Sequence, residues 1–145
     1  MRLVVQRVSR SAVRVDGVVV GEIGHGLMVL VAFTHTDTDE VLSWMVNKLI
    51  HLRVMEDSDG KMNLSVQDTG GGILLIPQFT LYGDIRRGFR PSFTSAALPD
   101  IASPLFDRFY QLVTNSGVLT EKGIFGADMQ VELVNDGPVT ILLER

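Results

Sequence analysis

The residue types that usually perform chemistry are thinly supplied in this chain, and that narrows what it can do. There is no cysteine, which excludes thiolate catalysis, disulfides and cysteine-based zinc sites. The three histidines, His25, His35 and His51, have no metal spacing such as HExxH. No serine sits in a GxSxG elbow. Members of a Ser-His-Asp set need not be close in sequence, but nothing in the sequence selects one. What stands out is a pair of short polar segments, each directly after an apolar run. Pro77-Gln78-Phe79-Thr80-Leu81 follows Ile73-Leu74-Leu75-Ile76, and Asn135-Asp136-Gly137-Pro138-Val139-Thr140 follows the run from Met129 to Val134. Each puts small polar groups and constrained backbone at a strand end, where a rigid scaffold can aim them at a ligand.

The surrounding elements must hold these segments in place. Apolar patterning gives a strand at 3–8, strands at 12–15 and 18–23, and a continuous, buried strand at 27–33. Asp16-Gly17 between the second and third of these is a two-residue type I′ hairpin signal. Thr36, Asp37, Thr38 and Asp39 supply helix caps. Val41, Leu42, Met45, Leu49 and Leu52 then recur at helical spacing, which predicts a helix over 38–52. Asp57-Ser58-Asp59-Gly60 reads as a turn between short strands and lacks the downstream ligands of a calcium loop. Gly70-Gly71-Gly72 precedes a strand; without a lysine and a following helix it is a flexible turn, not a phosphate loop. Residues 82–100 form a long irregular stretch of the kind that often carries function. Ser103-Pro104 reads as the N-cap and first residue of a second helix ending near Thr114, with Phe106, Phe109, Tyr110 and Val113 on its apolar face. Strands at 118–122, 129–134 and 139–143 complete the chain. The fold class is therefore α+β, a single domain over 1–145. Its sheet is curved, mostly antiparallel and barrel-like, with two helices packed outside.

Composition fits that picture. A chain of 145 residues is one domain by length. An apolar fraction of 46% and a mean hydropathy of +0.24 are high, and compatible with an extra buried face such as a subunit interface. No apolar run approaches the ~20 residues of a membrane span. Gln6 and Arg7 interrupt the N-terminal apolar stretch before a signal-peptide core forms, so the cytosol is the expected location. The net charge of −4 argues against bulk nucleic-acid binding. The cations are nevertheless clustered. Arg2, Arg7, Arg10 and Arg14 precede the first acidic residue, and Arg86, Arg87 and Arg90 form a second group.

Together the two polar segments resemble the signature motifs of the D-aminoacyl-tRNA deacylase family, written SQFTL and NxGPxT. The opening Met1-Arg2-Leu3-Val4-Val5-Gln6-Arg7-Val8, the Gly88-Phe89-Arg90-Pro91-Ser92-Phe93 segment and Gly123-Ile124-Phe125-Gly126-Ala127 resemble that family too, in the same order. The likeness spans essentially the whole chain. Pro77 departs from it, standing where the family usually has Ser. The resemblance implies a cytoplasmic proofreading hydrolase that needs no cofactor and no metal and has no membrane partner. Its substrate would be the 3′ end of D-aminoacyl-tRNA, with glycyl-tRNA mischarged on alanine tRNA also cleaved. It would act as a homodimer with active sites at the subunit interface.

The resemblance also implies residue roles. The Phe79 backbone N–H would be the oxyanion donor, Gln78 would help position substrate, and Thr80 would be a positioning group or a nucleophile. Gly137 and Pro138 would form a cis peptide that enters the neighbouring subunit's site. Its two carbonyls would lie near the substrate's α-carbon and collide with an L-side chain. Arg7, Arg86 and Arg87 are candidate tRNA contacts. An aminoacyl ester suits a site without an evident nucleophile, because its α-ammonium group activates the carbonyl and a vicinal ribose hydroxyl can orient water. An acidic protein that holds only the end of a tRNA needs few phosphate contacts, and its affinity should be modest and salt-sensitive. Two other readings remain open at this level: a non-catalytic, tRNA-binding dimeric relative, and a deacylase with relaxed chirality. Both are prompted by Pro77, which removes a backbone donor.

Overall fold

A computed structural model describes residues 1–145. Its spine is β1 (Arg2–Val15), a long strand that pairs antiparallel with three others. β2 (Val18–Ile23) folds back on it through Asp16 and Gly17, whose φ values of 49° and 78° are the two positive angles that a type I′ turn requires. β3 (Gly26–Ala32) pairs with the first half of β1, from Arg2↔Ala32 to Val8↔Gly26. α1 (Asp39–Ile50) then crosses over to a short hairpin, β4 (Met55–Glu56) and β5 (Met62–Leu64), and on to β6 (Gly72–Pro77). Because a helix intervenes, β6 returns parallel to β3, with Val31 beside Pro77. A 3₁₀ turn (Phe79–Tyr82) follows, then α2 (Pro99–Thr114), β7 (Thr120–Lys122) parallel to β6, and β8 (Gln130–Glu144) along β1.

The main sheet has six strands in the order β2-β1-β3-β6-β7, with β8 on β1. Three of its pairings are antiparallel and two are parallel. Its two ends curl together: a Cβ added at Gly21 of β2 would sit 3.0 Å from the Lys122 carbonyl of β7. Glycine is what permits that approach and the near-closed barrel. β3 and β6 are buried on both faces, which explains their unbroken apolar runs. On one face, Leu27, Val29, Ile73 and Leu75 pack with both helices through Leu42, Met45, Phe106 and Phe109. On the other, Met28, Leu74 and Ile76 meet Val8, Val13 and Ile23 inside the curve.

The structure differs from the sequence reading at three elements. The strands expected at 3–8 and 12–15 are one continuous strand, β1. α2 begins at Pro99, not at Ser103, and Pro104 lies inside it. Both prolines are competent helix starts locally. The earlier one wins because its first turn buries Ala102 against the core. The strands expected at 129–134 and 139–143 are one strand, β8, interrupted by an outward bulge. The turn at 57–60 is as expected, and the Asp57 carboxylate is spent on it, accepting the N–H groups of Asp59 and Lys61. No helix is long and apolar enough to cross a membrane.

Candidate active site

The first polar segment occupies the C-terminal end of β6. Gln78 N–H donates to the Val31 carbonyl at 2.7 Å, which anchors the exit from the strand. The chain then tightens into the 3₁₀ turn, with Phe79 as its first residue. An N–H at that position has no acceptor within its own turn. The Gln78 side-chain amide donates to Thr80 Oγ1 at 2.5 Å. Phe79 is exposed, and its ring meets Phe93 edge-on at 5.2 Å. Beneath the turn, Arg2 donates to the Leu81 carbonyl at 3.0 Å and stacks over Tyr82 at 4.6 Å. No histidine or carboxylate is hydrogen-bonded to the Thr80 hydroxyl, whose one partner is Gln78. No three His, Asp or Glu side chains converge anywhere on the chain.

Tyr82 supplies a spectroscopic handle on this turn. Burial, reinforced by the negative charge of Asp37, pushes its phenol up to about 12. Folding raises this pKa, so the stability it contributes is complete below about pH 10 and is lost as pH rises towards 12. Absorbance titration should show one tyrosinate forming near pH 12, and Tyr82→Phe should remove that step. A Tyr82→Phe protein that keeps the step would refute the assignment.

The second segment is the bulge in β8. Gln6 pairs with Thr140 and Val8 with Asn135, so Arg7 alone faces residues 136–139. Asn135 closes the bulge from both sides: its Oδ1 accepts the Val139 N–H at 2.9 Å and its Nδ2 donates to Thr140 Oγ1 at 3.0 Å. The Gly137–Pro138 peptide at the crest is cis, and both residues are exposed. Gly137 has φ of 123°, and a Cβ there would lie 2.9 Å from Arg7 Nη2 and 2.8 Å from Val139 Cγ2.

Arg7 is not a surface cation, and this corrects its expected role as a tRNA contact. It is 3% exposed. Its guanidinium donates to the Asp136 carbonyl at 3.1 Å, the Val54 carbonyl at 2.9 Å and Glu56 Oε1 at 3.0 Å. A buried arginine must be paired in this way, and here the pairing clamps the bulge from below. Arg86 is also engaged, by Asp84 at 2.5 Å, and holds that carboxyl down to about 2. Arg87 carries no hydrogen bond or ion pair to the protein and lines an exposed polar groove of about 450 Å³ with Asp84, Arg86, Arg90, Ser92 and Thr94.

The two segments do not meet within one chain. Pro77 is level with Leu3 of β1, through Val31, and Gly137 is level with Arg7. That is about 13 Å along the strands, with three strand spacings, about 14 Å, across them.

The chain matches the family model described as D-Tyr-tRNA(Tyr) deacylase over residues 4–144. It is 53% identical over 144 residues to a D-aminoacyl-tRNA deacylase of Geobacillus sp. (strain WCH70), covering 99% of this chain and 95% of that one. This chain belongs to the D-aminoacyl-tRNA deacylase family. Further members, from Desulfitobacterium hafniense and Kosmotoga olearia, are each 54% identical over 99% of this chain and 97% of their own. A solved structure described as c-Myc DNA unwinding element binding protein matches at a TM-score of 0.95 and 40% identity, covering 100% of this chain and 99% of that chain. A probable eukaryotic D-amino acid tRNA deacylase matches at a TM-score of 0.84, covering 98% and 97%; at 23% identity it speaks for the fold alone.

Several residues of this family member act on its motifs in ways that the sequence reading did not assign. Asn135 and Thr140 close the bulge, and Gln6 Nε2 reaches Thr140 Oγ1 at 3.3 Å. Arg2 ties the 3₁₀ turn to Glu144 of β8. Asn135 was the one readable signal, because Asn side chains hydrogen-bond backbone a few residues on.

Proposed function

We propose that this protein hydrolyses the ester of D-aminoacyl-tRNA to the free D-amino acid and tRNA, as a cytoplasmic homodimer, and spares the L-form. The observation that carries this reading is the pairing of an exposed PQFTL turn with an exposed NDGPVT bulge, in a chain whose relatives bear that name. The ester carbonyl docks on the turn. Water adds to the carbonyl carbon, and the oxyanion that develops is held by the Phe79 N–H. The intermediate then collapses, expelling the ribose oxygen, which takes up the proton given up by the attacking water. Thr80, fixed by Gln78, orients rather than attacks, since a hydroxyl nucleophile needs a neighbouring base. Thr80→Ala should therefore slow turnover only about fivefold, the worth of one neutral hydrogen bond. A trapped acyl-Thr80 species would contradict that.

The open edge of β8 supports the homodimer. None of its 15 residues is buried. It pairs only with β1, and Val134 and Leu142 stand exposed on it. A long, open edge strand with exposed apolar side chains is a surface that proteins cover. A second copy laid on β8 would bring its bulge to the turn that this chain's own bulge lies far from. The Gly137 and Pro138 carbonyls would then exclude an L-side chain at the substrate's α-carbon. That filter is steric and negative, so glycyl-tRNA, including glycine mischarged on alanine tRNA, is also cleaved.

The test is single-turnover hydrolysis of D-tyrosyl-, L-tyrosyl- and glycyl-tRNA. Rapid loss of the D- and glycyl esters with a stable L-ester is expected. Equal rates on D and L would indicate relaxed chirality, and no activity on any would indicate a non-catalytic tRNA binder. Pro77 is the residue that favours those alternatives.

A further inference from the structure

The long segment after the 3₁₀ turn is an arm with a defined base and tip. Asp84 and Ser92 bond each other's backbone at 2.8 and 2.9 Å, closing the base. Phe93, next to the base, packs on Phe79 of the candidate site. At the tip, Phe89 is fully exposed, at 106%, and touches no other aromatic ring. Arg87 and Arg90 flank it, and no hydrogen bond or ion pair occupies either, whereas Arg86 is held by Asp84. The groove that Arg87 and Arg90 line holds no apolar residue.

A bare aromatic ring flanked in sequence by two free arginines suits one partner chemistry, an unpaired nucleobase with phosphates on either side. The ring offers a stacking face to any base, and the arginines meet the backbone. We propose that the arm formed by residues 84–92 grips the single-stranded 3′ strand of the RNA, with Phe89 stacking on an unpaired base and Arg87 and Arg90 pairing with its phosphates. Reach fixes where on the RNA this happens. Phe89 is three residues from Ser92, at most about 11 Å of chain, so the base is close to the terminal nucleotide held at the turn. The inference rests on the deacylase reading for the identity of the RNA, but its test is binding.

Uncharged tRNA and the same tRNA trimmed of its unpaired 3′ nucleotides are titrated against the full chain by filter binding. Phe89→Ala should weaken binding of intact tRNA by between about fivefold and a hundredfold, the range that one base–aromatic stack supplies, and leave trimmed tRNA unaffected. Arg87→Gln with Arg90→Gln should flatten the dependence of log affinity on log salt by about 1.4, or 0.7 for each single-strand phosphate. Lys48→Gln, which removes an exposed cation from α1, should leave the intact-tRNA affinity unchanged. In a Trp44→Phe background, Phe89→Trp should be quenched by intact tRNA. With D-tyrosyl-tRNA, Phe89→Ala should raise KM and leave kcat unchanged. Unchanged affinity of Phe89→Ala for intact tRNA overturns the proposal. So does equal weakening for both RNAs, which would make the arm a general cationic surface. A shift in mass by light scattering on Phe89→Ala also overturns it, because the arm would then join copies of the chain. An inactive parent that still shows the Phe89-dependent step in binding would refute the deacylase reading and leave the arm standing.

Discussion

Replacing Phe79 by proline is expected to lower kcat for D-aminoacyl-tRNA by on the order of 10²–10³-fold, the usual cost of one oxyanion donor, with the fold intact. The substitution removes one hydrogen atom of interest, the backbone N–H. Phe79 opens the 3₁₀ turn, where proline's fixed φ is tolerated and no intrahelical bond is lost. Gln78, with φ of −149° and ψ of 78°, lies outside the helical region that a following proline disfavours. The ring is also lost, so Phe79→Ala is the control. It keeps the N–H and forfeits the edge contact to Phe93, which is worth about 0.5–1.5 kcal/mol, a factor of about ten at most. Circular dichroism and the thermal transition should be unchanged in both. If Phe79→Pro and Phe79→Ala are slowed equally, the ring matters and the N–H does not, and the oxyanion assignment fails. An effect on KM alone would also count against it, since an interaction made only in the transition state appears in kcat.

The sequence was most legible where a local signal decides the outcome. Asp16-Gly17 dictates its hairpin, and the unbroken runs in β3 and β6 betray burial on both faces. It was less legible where distant groups decide. Arg7 reads as one of a cluster of surface cations, yet its acceptors, Val54 and Asp136, are 47 and 129 residues away. Nothing in its neighbours in sequence announces them. The bulge in β8 looks like an ordinary turn between two strands, because Asn-Asp-Gly-Pro is a strong turn sequence. It is a bulge only because β1 continues straight past it and picks β8 up again at Thr140. Pro99 and Pro104 are equivalent as helix starts until the core against Ala102 chooses between them. The parallel pairing of β3 with β6 follows from a crossover helix, which residue patterning shows, but which strand lies beside which does not follow from it.

Gly137→Ala is expected to cost D-aminoacyl-tRNA turnover about 10²-fold or more and to weaken rejection of the L-form. A Cβ at this position would sit 2.9 Å from the Arg7 guanidinium and 2.8 Å from Val139, with φ at 123°. Few L-residues adopt that conformation. Arg7 cannot yield without abandoning Val54 and Glu56, so the crest must move instead. A displacement of about 1 Å at a positioning group costs on the order of 10²-fold. Combined with Phe79→Pro, the variant tests whether the site is shared. In a purified heterodimer of one Phe79→Pro chain and one Gly137→Ala chain, the two defects can be distributed in only two ways. If each site takes its turn from one chain and its bulge from the other, one site collects both defects and the other has none. Half the activity of the parent dimer should then return, although each variant homodimer is nearly inactive. If each chain completes its own site, every site carries one defect and the heterodimer stays near 1% of the parent. The two outcomes differ by about 50-fold, far beyond any uncertainty in the amount of active protein. A heterodimer that stays inactive would mean that the exposed bulge of β8 serves its own chain, and the distance between the two motifs would need another explanation.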